Sequence, residues 1–280
     1  MAAVKKWLYE PMPAGRVAVF RTIAYSFIFV DVFLTTSWVT QHGWVPGELY
    51  RPLFIGRILN LPTPTPLFVT MVQIALLVGA AMAMNPRWTR RAGVGVFFLY
   101  LEWMFIAMSY GKVDHDRVAF LVALAVLPTV GAVRWRDRER REDAGWAIRC
   151  IQVAVVLTYF LAAFAKLRFG GLEWVNGATL MRAVLRRGTV LVDPLTIENP
   201  WMLHAFQYFI VAFELFSPLM LLRNKVGRLY VKLAFVFHAV TYASITIIFL
   251  PHVVCLLTLL PLERVKAPSW VPFARRFQRA

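Results

Sequence analysis

Eight apolar stretches, parted by short basic or proline-rich connectors, decide what this chain can fold into. They run over Val17–Trp38, Leu67–Met84, Ala92–Tyr110, Val118–Val133, Ala147–Leu167 and Trp201–Leu222, and the last two share the run Leu229–Leu262. A helix needs about 20 largely apolar residues to cross a bilayer. The final run is too long for one crossing. It suits a tight pair broken near Tyr242–Thr246, with Pro251 as a kink in the eighth helix. Of the 280 residues 59% are hydrophobic and 16% charged, against about 25% charged in an ordinary soluble domain. A soluble globule could not hide that much apolar surface. This excludes a soluble enzyme, a disordered chain and a secreted disulfide scaffold. The expected fold is all-α: a polytopic integral membrane protein of about eight transmembrane helices in one domain, residues 1–266, with a short basic tail over 267–280.

Lysine and arginine set the expected orientation. Nineteen of the 31 lie on the side of the two termini and loops 2–3, 4–5 and 6–7, and eight lie on the other side. By the positive-inside rule both termini, with the basic tail, are cytoplasmic. The net charge of +16 then belongs to loops facing anionic lipid. A nucleic-acid partner is not expected, because no basic patch carries interleaved exposed aromatics. The first apolar run contains Arg21 and Asp31 and no small-residue cleavage site follows it, so it reads as a retained signal anchor. Cys150 and Cys255 both fall inside spans and no C-x-x-C occurs, which excludes a disulfide framework and thiol redox chemistry.

Two outer loops are long. Gln41–Pro66 holds Pro62, Pro64 and Pro66 and is expected to be irregular. Arg168–Pro200 includes Gly177–Gly188, with Leu180, Val184 and Leu185 on one face and Arg182, Arg186 and Arg187 on the other. That pattern predicts a short amphipathic helix on the outer surface, or a lid.

An ionisable group inside a span costs several kcal/mol unless it is paired or near water, so each one is a candidate. Arg21, Arg149 and Lys232 lie near cytoplasmic ends, where snorkelling accounts for them. Asp31, Glu102 and Glu214 lie deeper. They fit either interhelical hydrogen bonding or a charge placed for a substrate or a proton. All five histidines, His42, His115, His204, His238 and His252, fall in the outer half. Lys166 ends the fifth span on that same side. It either snorkels to the headgroups or is desolvated by its apolar neighbours, and desolvation would make it a usable base near neutral pH. No histidine or cysteine spacing of ligand type occurs, so no metal site is expected.

The run Tyr159-Phe160-Leu161-Ala162-Ala163-Phe164-Ala165-Lys166-Leu167, followed by Glu173-Trp174-Val175-Asn176-Gly177, resembles the Ala-Gly-x-x-Lys-Leu…Trp-x-x-Gly stretch of vitamin K-dependent gamma-carboxylases. It also resembles their bacterial relatives, the HTTM (horizontally transferred transmembrane) proteins. The Asp114-His115-Asp116 of loop 3–4, Phe237-His238 and Ile248-Phe249-Leu250-Pro251-His252 extend the likeness. The resemblance implies a gamma-carboxylase-like membrane enzyme in the bacterial cytoplasmic membrane. In it Lys166 would act as the base that deprotonates a reduced quinone, a vitamin K-like hydroquinone, at the outer face. His115 would assist, with His238, Asp31 and Glu214 as supporting residues. In the carboxylases O2 then adds to the quinone, a glutamate γ-proton is removed and CO2 adds to the carbanion. The implied cofactors are therefore the reduced quinone with O2 and CO2, and no metal or haem. The large lumenal domain of the eukaryotic enzymes has no counterpart in this sequence, so a small-molecule or peptide substrate is expected, with a membrane or secreted partner protein. Three rivals stand beside this reading. One is a non-catalytic partner in secreted peptide or lipid maturation. Another is a small-solute transporter using Asp31, Glu102 and Glu214. The third is a haem carrier using His204, His238 or His252.

Overall fold

The structure, a computed structural model, describes residues 2–111, 113–192 and 198–266. The predicted tail over 267–280 lies outside the described residues. The protein is mostly helical, with almost no strand. Each of the eight apolar stretches contains helix, but the lengths differ. Among the described residues four helical segments are long and apolar enough to cross a membrane: Ala14–Thr35, Pro66–Ala83, Thr89–Met108 and Glu142–Val175. The others are shorter or less apolar. Chain contacts divide the protein into two units, Met1–Ile151 with Leu260–Ala280, and Gln152–Leu259.

The first unit opens with α1 (Ala2–Leu8) and α2 (Ala14–Val30), which passes into a π-helical turn over Asp31–Thr35. Short 3₁₀ turns over Ser37–Trp44 and Gly47–Leu49, and α3 (Phe54–Ile58), follow. The long loop expected to be irregular is irregular over about half its length and carries short helical turns in the rest. Next come α4 (Pro66–Ala83), α5 (Thr89–Met108) and α6 (Val118–Val126). Thr65 caps α4 by accepting from the Phe68 amide, and Pro66 stands at its first position, which needs no amide donor. On α4 Val69, Val72, Leu76, Ala80 and Ala83 are buried, while Leu67, Met71, Ile74 and Val78 on the opposite side are exposed. A helix apolar all round with half its surface uncovered is what a lipid-facing helix presents. A two-residue antiparallel pair, β1 (Met12–Pro13) with β2 (Arg140–Arg141), ties the start of α2 to the entry of α7 (Glu142–Gly170).

Arg21 and Arg149 do not snorkel. Both side chains are buried. Arg21 donates to the carbonyls of Leu127, Val130 and Gly131 at 3.0, 2.8 and 3.2 Å. The Leu127 carbonyl also accepts from the Val130 amide that closes the 3₁₀ turn, and the Val130 and Gly131 carbonyls lie just past it, so the cation caps a helix C-terminus. The Arg149 guanidinium lies 4.5 Å from the Trp7 ring centre and 3.8 Å from Glu10 Oε2. Lys232 alone of the three is exposed. We expect Arg21→Met to cost about 2–3 kcal/mol, since three buried acceptors lose a charged donor. Thermal unfolding in detergent reads this directly, and a shift no larger than that of an exposed-site control would refute the capping role.

At the other end of α2, Arg16 grips Glu263 with both nitrogens at 2.8 and 2.9 Å. Burial works to raise the Glu263 carboxyl, but the Arg16 fork outweighs it and holds the group below its ordinary range. A carboxyl lowered in the folded state contributes stability at neutral pH and loses it as pH falls through that lowered value. This link should therefore resist mild acidification and open only below the ordinary carboxylate range. A pH series of proteolysis at residues 262–266 tests this, and cleavage that does not change with pH would count against it.

The second unit holds the rest of α7 with α8 (Ala178–Arg187), α9 (Pro200–Leu215), α10 (Lys225–Ile245) and α11 (Leu250–Leu256). α10 ends at Thr246, which turns left-handed at φ 54°, within the expected break. Pro251 does not kink a helix. It falls in the first turn of α11, where its missing amide costs nothing. α8 is the expected amphipathic helix. Val184 is buried with Leu203 of α9 and Ile245 of α10, and Leu180 and Met181 pack against them. Arg182, Arg186 and Arg187 are exposed. Leu185 is exposed too, against expectation, because one residue beyond Val184 turns about 100° away from the packed face. Gly177, at φ 88°, starts the helix against the His204 ring. Thr189, just past its end, bonds the carbonyls of Ala243 and Ser244.

Candidate functional site

The second unit carries a constellation of polar side chains along two of its helices. Tyr159, Ala163 and Lys166 follow one face of α7 at i, i+4 and i+7, and Gln207, Val211 and Glu214 do the same on α9. The two faces meet antiparallel. Lys166 Nζ donates to both Glu214 oxygens at 2.7 and 2.5 Å. The lysine side chain keeps 21% exposure and the glutamate 10%. The Trp174 ring centre lies 5.2 Å from Nζ. Lys166 is therefore neither a headgroup anchor nor a lone desolvated amine. A carboxylate faces it and an indole lies beside it.

One level along the helices, the Tyr159 hydroxyl is 2.5 Å from His238 Nε2. The His252 ring meets Tyr159 edge-on at 4.5 Å, and His238 and His252 are 5.7 Å apart. Phe213, which precedes Glu214, packs edge-on against Tyr159 and stacks on Tyr230 and Phe237. This aromatic wall pins the α9 turn that carries Glu214. At the opposite end Gln207 Nε2 donates to the Trp174 carbonyl at 2.6 Å. The Gly170–Gly177 segment that presents Trp174 is entered and left through left-handed glycines, Gly171 at φ 59° and Gly177 at φ 88°. Ser217 completes the seam by bonding the Val156 carbonyl at 3.1 Å.

The other sequence-predicted residues lie in the first unit. Asp31 is fully buried in the π-helical turn. Arg117 Nη1 reaches both its oxygens at 2.8 Å, and the Tyr100 hydroxyl donates to Oδ2 at 2.9 Å. Thr35 adds a further hydrogen bond, and Trp103 Nε1 bonds Thr36 at 3.0 Å. Asp31 thus holds the loop that bears His115 through Arg117. His115 itself is exposed on the 3₁₀ turn His115–Arg117. Its neighbour Asp116 is raised above its ordinary carboxyl range chiefly by burial. Glu102 has one buried oxygen without a hydrogen-bond partner among the described residues. His42 has a structural role: its Nδ1 lies 3.1 Å from the Ile106 carbonyl, its ring leans on Tyr110, and burial lowers its basicity. Among the described residues no cluster of His, Cys, Asp and Glu could hold a metal ion.

Of the predicted set, Lys166 and Glu214 are in direct contact and His238 belongs to the same unit. Arg117, Tyr100, Tyr159, Trp174 and Gln207 were not anticipated as site residues. Two of them had a signal, since Tyr159 precedes Lys166 and Gln207 precedes Glu214 by seven residues, two turns on one face. Neither a curated protein nor a solved structure matches the chain. The HTTM domain matches it over residues 9–265, nearly its whole length, and the chain belongs to the HTTM domain family.

Proposed function

We propose that this protein is a membrane enzyme of gamma-carboxylase-like type, in which the Lys166–Glu214 pair takes a proton from a reduced quinone or a similar lipophilic phenol. The observation that carries the reading is that pair: a two-pronged contact of 2.7 and 2.5 Å with the amine still partly open beside Trp174. The proposed step starts from the neutral form of the pair. In the neutral form a Glu214 oxygen holds the proton and Nζ offers a lone pair to a hydroxyl. Lys166 then receives the hydroxyl proton, and the resulting ammonium remains beside the phenolate it has made. Glu214 primes the amine and keeps it aimed, and Tyr159 with His238 lines the adjoining wall. The residues fit a flat ring bearing hydroxyls, because Trp174 offers a π face and Lys166 a reachable amine. The quinone, when bound, supplies the ring hydroxyl and the redox chemistry with O2, and CO2 is the co-substrate if carboxylation follows.

We further place the chain in the bacterial cytoplasmic membrane with eight spans, both termini cytoplasmic and the site open to the outer side. Support comes from the 19-to-8 division of basic residues and from the helix found in each of the eight stretches. Oxygen uptake by the purified protein with a reduced naphthoquinone tests the function. Uptake that depends on Lys166 with epoxide formed supports it. Uptake equal to background from folded protein refutes it, and a non-catalytic role in peptide or lipid maturation, or transport, would then take its place.

A further inference from the structure

Gln207 is 1% exposed, and its two amide atoms differ sharply in how they are satisfied. The nitrogen donates to the Trp174 carbonyl at 2.6 Å. A carbonyl can only accept, so this contact fixes which end of the amide is which. The oxygen is buried with no hydrogen-bond donor among the described residues. A buried acceptor left without a donor is uncommon and asks for an explanation. This one lies two turns from Glu214 on the same face of α9, and it is held by the residue whose indole lies 5.2 Å from Lys166 Nζ. Trp174 links the two: its indole lies beside Lys166 Nζ and its backbone carbonyl holds the Gln207 amide. Trp174 stands in a segment bounded by two left-handed glycines, Gly171 and Gly177.

We propose that Gln207 reads the redox state of the substrate: its Oε1 accepts a hydrogen bond from a ring hydroxyl and so admits the reduced aromatic diol in preference to the oxidised dione. The inference rests on the function proposed above and names the specificity determinant of the same site. A diol presents O–H donors, whereas a dione presents only acceptor oxygens. Against a fixed acceptor the diol makes a bond and the dione meets lone pair against lone pair. Discrimination of this kind is large, because the rejected partner leaves a buried polar atom unpaired. The Trp174 carbonyl keeps the amide from rotating to offer its NH2 instead. No proton or electron moves in this step, and recognition precedes the chemistry at Lys166.

The test is equilibrium binding of one short-chain naphthoquinone, in its reduced and oxidised forms, to the full-length protein in detergent without oxygen. Wild type should bind the reduced form at least about tenfold tighter. Gln207→Leu should bring the two affinities within about twofold, chiefly by weakening the reduced form. Gln207→Glu keeps an acceptor at that position and should retain a preference for the reduced form. It supplies the second readout if the leucine variant fails to fold. Wild type that binds both forms equally, as expected if Oε1 merely holds a water, overturns this inference and leaves the proposed function standing. Gln207→Leu with an unchanged preference also overturns it. Wild type that binds neither form overturns both.

Discussion

Replacing Lys166 by alanine should lower quinol-dependent oxygen uptake by about 10²–10⁴-fold, the range over which a positioned acid or base acts. The size follows from the contact pattern. Lys166 is the amine that faces Glu214, and its loss leaves a carboxylate with 10% exposure and no cation against it among the described residues. The Glu214→Gln variant keeps the shape and a hydrogen-bond acceptor but removes the charge and the priming proton site. It should fall short of wild type by a smaller factor, about 10–10²-fold. The two changes act on one unit, so the double variant should resemble Lys166→Ala rather than the product of the two losses. Multiplicative losses would show that the residues act independently and would remove the pair from the mechanism. Stability supplies a control. If Lys166→Met with Glu214→Leu folds as well as wild type yet lacks uptake, the pair serves chemistry rather than folding.

The Asp31→Ala variant should be destabilised by about 3–5 kcal/mol, the cost of leaving a buried charge without its partner. The Arg117 side chain is 7% exposed and Asp31 is fully enclosed. Removing the carboxylate deprives Arg117 Nη1 of two bonds and the Tyr100 hydroxyl of its acceptor. A folded domain commonly has about 5–15 kcal/mol in hand, so this change alone is severe. The Asp31→Leu, Arg117→Met pair removes both charges and should recover much of the loss, whereas Arg117→Met alone should not. Thermal unfolding in detergent, with yield as a second readout, decides the matter. A shift under about 1 kcal/mol for Asp31→Ala would mean that water or another cation already serves Arg117. The same variant should loosen the turn that carries His115, because Arg117 anchors it from two residues away. Proteolysis around residues 113–117 would report that loosening.

Much of the architecture was legible because bilayer physics writes itself into composition. Apolar stretches need no tertiary detail to be recognised as helices, and among the described residues four of those helices are long and apolar enough to cross a membrane. The helix break before Thr246 and the amphipathic α8 were visible for related reasons, one as an overlong apolar run and the other as arginines facing away from Val184. Helix lengths were less legible. The fourth stretch reads as sixteen apolar residues but is α-helical over Val118–Val126 only, with Pro128 in the 3₁₀ turn that follows. Proline at that point cannot donate, and Arg21 arrives to satisfy the carbonyls instead.

Local signals in the chain were enough for a mostly helical protein with helices apolar enough to cross a membrane and for the likeness to the HTTM family, and they marked Lys166 as the residue to examine. Those signals were hydrophobic length, charge asymmetry and a short motif around the lysine. What each charge does became visible only once the helices were packed. Glu214 meets Lys166 across 48 positions of chain, and Arg117 meets Asp31 across 86. A buried charge takes its role from its partner, and when partners lie on different helices their pairing is set by how those helices pack. No periodicity or composition encodes that packing. The same reason made Arg21 a helix cap and left one oxygen of Gln207 waiting for a donor.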